Sequence, residues 1–354
     1  MILERTMLAA FSRLRARSVA ASGFVRVRRR AAALAACLAL PAWALSAPPP
    51  VRIDHHMHVH SPAIRAWLPR YCASPGRSSP CDPDFADPPP LDALIAAMDR
   101  AGVGHGLLMS TGYLAQSAFV QPPDPDAAAL LRAANDDVVA LARAHPGRFS
   151  AFVAVNPLAP QALPELRRWR GVEGVAGVKI HVTNSGLDLR DDAHLQALAA
   201  VFAEARRNGW ALTIHLRTRA ADYGAVDVAN FIEQVLPQAG DVPVQIAHAA
   251  GWGGTDANTF EALGAFAGAL AARPALGRNL YFDLAAVFGD QTPDEDAAKL
   301  AALIQRIGPA HFVAASDWPF ALDLADYYGR VYPVLPLSPE AWRTIRTNTW
   351  MGRP

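Results

Sequence analysis

Two histidines stand one residue apart in the run Ile53-Asp54-His55-His56-Met57-His58. Alternate residues of an extended strand project to the same side, so His56 and His58 share one face while His55 and Met57 take the other. Two imidazoles side by side on a strand face are costly unless something is bound between them, and a metal ion is the natural occupant. Three further groups end apolar runs: His215 after Ala211-Leu212-Thr213-Ile214, His248 after Val244-Gln245-Ile246-Ala247, and Asp317 after Ala314-Ala315-Ser316. Taken singly, each has an ordinary explanation, a hydrogen-bonded core histidine or a turn-capping aspartate. As a set they are a metal-ligand inventory, provided the chain brings those strand ends together.

The elements that must do so are legible as alternating β-branched and Ala-rich runs. Strand candidates are Val51–His58, Gly106–Ser110, Phe149–Val155, Ala176–Val182, Ala211–Leu216, Val244–Ala249, Asn279–Leu284 and Phe312–Ser316. Between them, apolar residues recur at helical spacing over Leu91–Arg100, Asp124–Ala144, Asp192–Asn208, Val226–Leu236, Thr259–Ala272 and Asp294–Ile307. Eight strands alternating with helical runs predict a single-domain α/β fold, a (β/α)8 TIM barrel over residues 45–354, whose reacting groups collect where the strands end. An open doubly wound sheet is the alternative, but no Gly-rich phosphate loop follows the first strand. Residues 67–90, rich in proline, are expected to form a long loop, a lid or rim after strand one.

The Asp-His-His-Met-His start, the two later strand-end histidines and Ser316-Asp317-Trp318-Pro319-Phe320 resemble the amidohydrolase superfamily. The most similar branch is the amidohydrolase-related group that contains aminocarboxymuconate semialdehyde decarboxylase and 2-pyrone-4,6-dicarboxylate lactonase. The resemblance covers roughly residues 50–350. It implies one divalent ion, zinc first, held by His56, His58, His215 and Asp317. His248 would polarise the substrate or position water, or bind a second ion in members that use two. An ion with an open position lowers the pKa of bound water from about 15.7 to about 7. Asp317 would take that water's proton and pass it on.

Lys179, in Gly177-Val178-Lys179-Ile180-His181, is one of only two lysines, against 31 arginines. It is expected to contact substrate or form an ion pair, with carbamylation to bridge two metals as the second possibility. His181, of the same parity, is expected behind the ligands or facing the substrate. Arg217 and Arg219 follow His215 and could clamp an anionic small-molecule substrate through bidentate contacts. Trp252 and Trp318 could wall a planar one.

Composition narrows the function classes. At 52% hydrophobic and 18% charged, the chain is neither disordered nor a coiled coil. The overall balance of +1 conceals a division: residues 1–44 hold eight Arg and one acid, so the remainder has 33−8=25 bases against 32−1=31 acids, a net −6. A nucleic-acid partner is not expected of such a surface. Arg26–Arg30, the apolar run from Ala31 to Leu40, Pro41 and Ala42-Trp43-Ala44 read as a secretory signal peptide over residues 1–44, removed to leave a periplasmic or secreted protein without a membrane span. Lipid attachment at Cys37 ranks lower. The two remaining cysteines, Cys72 and Cys81, are expected to pair as a disulfide.

The leading expectation is an exported metal-dependent hydrolase of a lactone, ester or amide. A non-oxidative decarboxylase of a small carboxylic acid is the alternative, and an inactive periplasmic metal- or ligand-binding barrel ranks third. Substrate, ion count and homo-oligomeric state stay open at this stage.

Overall fold

A computed structural model describes residues 49–350 apart from 78 and 79. The expected leader over 1–44 and Cys37 lie outside the described residues. Eight parallel strands pair in chain order: β1 Ile53–Val59, β2 His105–Ser110, β3 Phe149–Ala154, β4 Val175–His181, β5 Ala211–His215, β6 Val244–Ile246, β7 Leu280–Asp283 and β8 Phe312–Val313. Helices follow the strands on the outside, giving the expected (β/α)8 barrel. Outward residues such as Leu108, Val153, Val178, Ile180, Ile214 and Ile246 are wholly buried beneath them. No described helix is long and apolar enough to cross a membrane.

Local signals set the helices as the sequence suggests. The Asp191 carboxylate accepts from the Ala193 and His194 amides at 2.8 and 3.1 Å, starting Asp192–Arg207. Gly209, at φ +66°, lets the chain turn back after it. Residues 67–90 are less loop-like than expected. Ser61 accepts from the Ile64 amide at 3.2 Å and Pro62 is pre-set for a first turn, so helix Pro62–Cys72 runs into this segment. A further turn, Pro83–Ala86, begins in the same way on the Asp82 carboxylate. The Cys72–Cys81 disulfide closes the stretch between them.

Strands β6 and β8 are shorter than the apolar runs predict, because their ends leave extended geometry at the chemically interesting residues. His248, Ala249 and Ala250 have φ of +53°, +49° and +69°, and Asp317 has +59°. β1 also departs from simple alternation. Its register against β2 shifts between Asp54 and Met57. Met57 faces outward as expected, but the His55 ring lies 5.9 Å from Trp350. Trp350 also contacts Phe152, Tyr281 and Gln245, so this is the lower barrel interior and not the helix side.

The seam between β1 and β8 is closed by the chain just beyond β8. His55 N donates to Ala314 O at 3.1 Å, Asp317 N to His56 O at 2.8 Å, and His58 N to Trp318 O at 2.7 Å. The residues expected to hold metal therefore also close the barrel.

Candidate metal centre

At the C-terminal mouth, ligand atoms of His56, His248 and Asp317 lie within 4.8 Å of one another, all buried. His58 joins them: its Nε2 is 3.1 Å from His56 Nε2 and 3.4 Å from Asp317 Oδ1. Asp317 Oδ1 is itself 3.5 Å from His56 Nε2, and Oδ2 is 4.0 Å from His248 Nε2.

Partners on the far side of each ring decide which nitrogen carries a proton. His56 Nδ1 faces Asp283 Oδ2 at 3.0 Å, His58 Nδ1 faces Met109 O at 3.3 Å, and His248 Nδ1 faces Ala285 O at 2.7 Å. All three partners are oxygens that only accept, so each Nδ1 is the donor, and in a neutral ring that leaves Nε2 as the lone pair. Burial, reinforced by the Lys179 charge, holds His56 below the ordinary histidine range and His58 well below it. Both shifts favour the neutral form of these two rings. Two such nitrogens 3.1 Å apart, beside a buried carboxylate oxygen without a hydrogen-bond partner among the described residues, form an electron-rich cage. A divalent cation fits that donor set, with nitrogen and carboxylate ligands of the kind zinc takes.

Lys179 meets part of this demand. Its Nζ donates to His56 Nε2 at 2.8 Å from a position only 1% exposed. Burial draws its amine down from 10.5 to about 8, against the pull of Asp317 and Asp283. An ion bound at His56 Nε2 would take the lone pair that Lys179 now uses.

His215 stands at the flank of the cluster. Its ring stacks on His181 at 4.0 Å and 14°, and is 5.2 Å from that of His248. His215 Nδ1 is buried with no hydrogen-bond partner among the described residues, and burial first, then the neighbouring charges, keeps the ring well below the usual histidine range. His181 accepts from the Asn184 amide at 3.3 Å and so also caps the turn after β4. The structure thus gathers His56, His58, His248 and Asp317 most tightly, with His215 one ring further out.

The expected substrate contacts separate more clearly. Trp252 is 48% exposed, with its ring 5.1 Å from that of His215, at the rim of the mouth. Trp318 is 1% exposed and packs in the core; what it brings to the site is the backbone carbonyl that anchors His58. Arg217 is committed to Asp256 at 3.2 Å and lies over the Tyr223 ring. Arg219 lies over Phe119.

Sequence reasoning missed three contributors. Asp283, on β7, accepts from His56 Nδ1, from Gln245 Nε2 at 2.7 Å and from the His248 amide at 2.8 Å; burial raises its carboxyl, but His56 and His248 hold it far below the usual range. An acid inside Tyr281-Phe282-Asp283-Leu284 was the available signal. Tyr113 follows β2, and its buried ring lies 5.0 Å from His181 and 6.3 Å from His58. Asp54, one position before the histidines, is buried between β1 and the chain after β8.

The amidohydrolase family profile matches residues 53–345, nearly the whole barrel. The chain belongs to the amidohydrolase family. No curated protein sequence matches this amidohydrolase. Solved structures similar to it include 5-carboxyvanillate decarboxylase from Sphingomonas paucimobilis, at 18% identity and TM-score 0.56 over 84% of this chain and 97% of that one. A second is a 5-carboxyvanillate decarboxylase from Novosphingobium aromaticivorans with bound manganese, at 16% identity and TM-score 0.55 over 86% and 97%. A third is an amidohydrolase from Burkholderia multivorans with bound zinc, at 17% identity and TM-score 0.52 over 84% and 96%. At these identities the likeness is one of fold.

Proposed function

We propose that this amidohydrolase is a metal-dependent lyase that releases carbon dioxide from a small planar carboxylic acid without an oxidant. One observation carries the reading: a buried ammonium, Lys179, sits 2.8 Å from His56, in the same pocket as the ligand cage. A site that pairs a bound dication with a fixed amine favours an anionic substrate. The decarboxylase names among structures of the same fold support it. The reading replaces hydrolysis as the leading expectation.

A divalent ion held by His56, His58, His248 and Asp317 would supply Lewis-acid polarisation of a substrate oxygen. Lys179 would hold the substrate carboxylate once it releases His56. Asp317 would take a proton from water and deliver it to carbon as the carbon–carbon bond breaks, so one C–H bond replaces one C–C bond, carbon dioxide departs, and the hydroxide left behind converts it to bicarbonate. Tyr113 and Trp252 would bound a flat ring on either side of the mouth. Zinc is proposed as the ion because the cage offers three imidazoles and a carboxylate.

Hydrolysis of a lactone, ester or amide is the second reading, favoured by Asp317 Oδ1, which has no hydrogen-bond partner among the described residues and lies at the cage, where a proton acceptor for water is needed. Export to an oxidising compartment is also proposed, supported by the leader sequence and the Cys72–Cys81 bridge. The test is bicarbonate release from zinc- or manganese-loaded protein given 5-carboxyvanillate and other aromatic carboxylic acids, beside a lactone, ester and amide panel. Turnover confined to the second panel would reverse the order of the readings, and metal binding without turnover in either would leave a binding barrel.

A further inference from the structure

The two ends of the described barrel meet without a strand ladder, and Asp54 is the side chain placed where they meet. It is wholly buried on β1. Its Oδ1 accepts from the His56 amide at 3.1 Å and from the Ser316 amide, 262 residues away, also at 3.1 Å. Its Oδ2 accepts from the Tyr328 hydroxyl at 2.7 Å. One carboxylate therefore grips the backbone of the first ligand, the residue before the last ligand, and the segment Tyr327–Val331 that backs them.

This grip lies where the geometry is least self-supporting. Asp317 has a φ of +59°, a left-handed conformation that aspartate tolerates better than most residues but that still gains from support by its surroundings. Just three strand-type backbone hydrogen bonds join the β1 edge to this segment. We infer that Asp54 is a positioning residue that sets the distance between the His56–His58 pair and Asp317, and through it the affinity for the metal ion. It touches no ligand nitrogen and no substrate; it acts through the backbone of His56 and Ser316. Asn at this position keeps the shape but offers one accepting oxygen in place of two, so either the paired amides or the Tyr328 hydroxyl loses its acceptor.

The experiment is calorimetric titration of zinc into metal-free protein, alongside circular dichroism and thermal melting without metal. Asp54→Asn is expected to keep the barrel spectrum and to weaken zinc binding about 10- to 100-fold, the usual effect of removing an outer contact that orients ligands. Tyr328→Phe, which leaves the carboxylate in place, should weaken it less. A purely structural role would lower the melting temperature and leave the zinc affinity of the folded protein unchanged. An affinity within about twofold of the unaltered chain in Asp54→Asn overturns the inference. Should that variant not fold, Tyr328→Phe decides: reduced affinity supports the inference and unchanged affinity overturns it. Failure of the unaltered chain to bind zinc or manganese would refute the metal centre itself, a separate outcome.

Discussion

His56 Nδ1 donates to Asp283 Oδ2 across 3.0 Å, so the ring that begins the ligand set is oriented by a carboxylate 227 residues later in the chain. That bond leaves His56 Nε2 as the accepting nitrogen, met by Lys179 Nζ at 2.8 Å and facing His58 and Asp317. The same carboxylate holds the His248 amide at 2.8 Å, so Asp283 orients ligands from β1 and from the end of β6 together. Removing it should loosen both. Asp283→Ala is expected to weaken zinc binding by at least about 10-fold, a value typical of such outer carboxylates. Competition against a chelator of known affinity measures this, and an unchanged affinity would show that His56 needs no such orientation.

Asp317→Asn should preserve the barrel, because asparagine also accepts the left-handed backbone found at this position. Turnover should fall by about 10²- to 10⁴-fold, the usual contribution of a general acid–base group. Near-normal turnover in a folded, metal-loaded variant would remove the proton-carrying role.

Lys179→Met tests the anionic-substrate reading. The buried ammonium is expected to hold the substrate carboxylate, and losing a charged hydrogen bond of about 1.5–3 kcal/mol corresponds to roughly 10-fold or more in KM. The effect should appear with carboxylate substrates and be absent with neutral esters or lactones. Equal loss on both classes would assign Lys179 to the metal site alone.

Stability of the metal-free protein should fall on acidification in two stages. Burial holds His55 and His60 at about 4, against 6.5 for an ordinary histidine. Both are neutral in either state above 6.5; between 6.5 and 4 only the unfolded chain takes up their protons, and stability declines. Glu204 follows at lower pH. Burial raises its carboxyl, but hydrogen bonds from Arg207, Arg170 and Asn208 together pull it down to about 2. That contribution is complete above 4.5 and is lost as pH falls towards 2. Denaturant midpoints at pH 7, 5 and 3 should decrease in order, with Glu204→Gln flattening only the lower stage. A midpoint flat from pH 7 to 4 would contradict the histidine assignment.

The Cys72–Cys81 bridge closes a short loop between helix Pro62–Cys72 and the turn at Pro83–Ala86. By loop entropy it should contribute about 2–3 kcal/mol. Paired Cys72→Ser and Cys81→Ser substitution should lower the unfolding free energy by that amount. Loss of less than about 0.5 kcal/mol would mean the loop is already ordered without it.

The barrel, and most of the residues gathered at the candidate metal centre, were legible in the linear chain because both rest on short-range periodicity. An apolar run ending in His or Asp announces a strand and its mouth together, as at His215, His248 and Asp317. Asp283 carried the same kind of signal and was passed over, since a lone acid among aromatics does not say which histidine it serves. The inward turn of His55 was hidden too, because a register shift breaks the two-residue alternation that the reading of β1 relies on.

What the linear chain determined by itself was the alternation of strands and helices, and with it the end of the fold at which chemistry gathers. Tertiary structure alone decided which nitrogens are bare, that Trp318 lies in the core and Trp252 at the rim, and that Asp54 and Asp283 tie distant ligands together. Those features depend on hydrogen-bond partners 35 to 274 residues apart, and no local pattern encodes which of many possible partners a closed barrel will bring face to face.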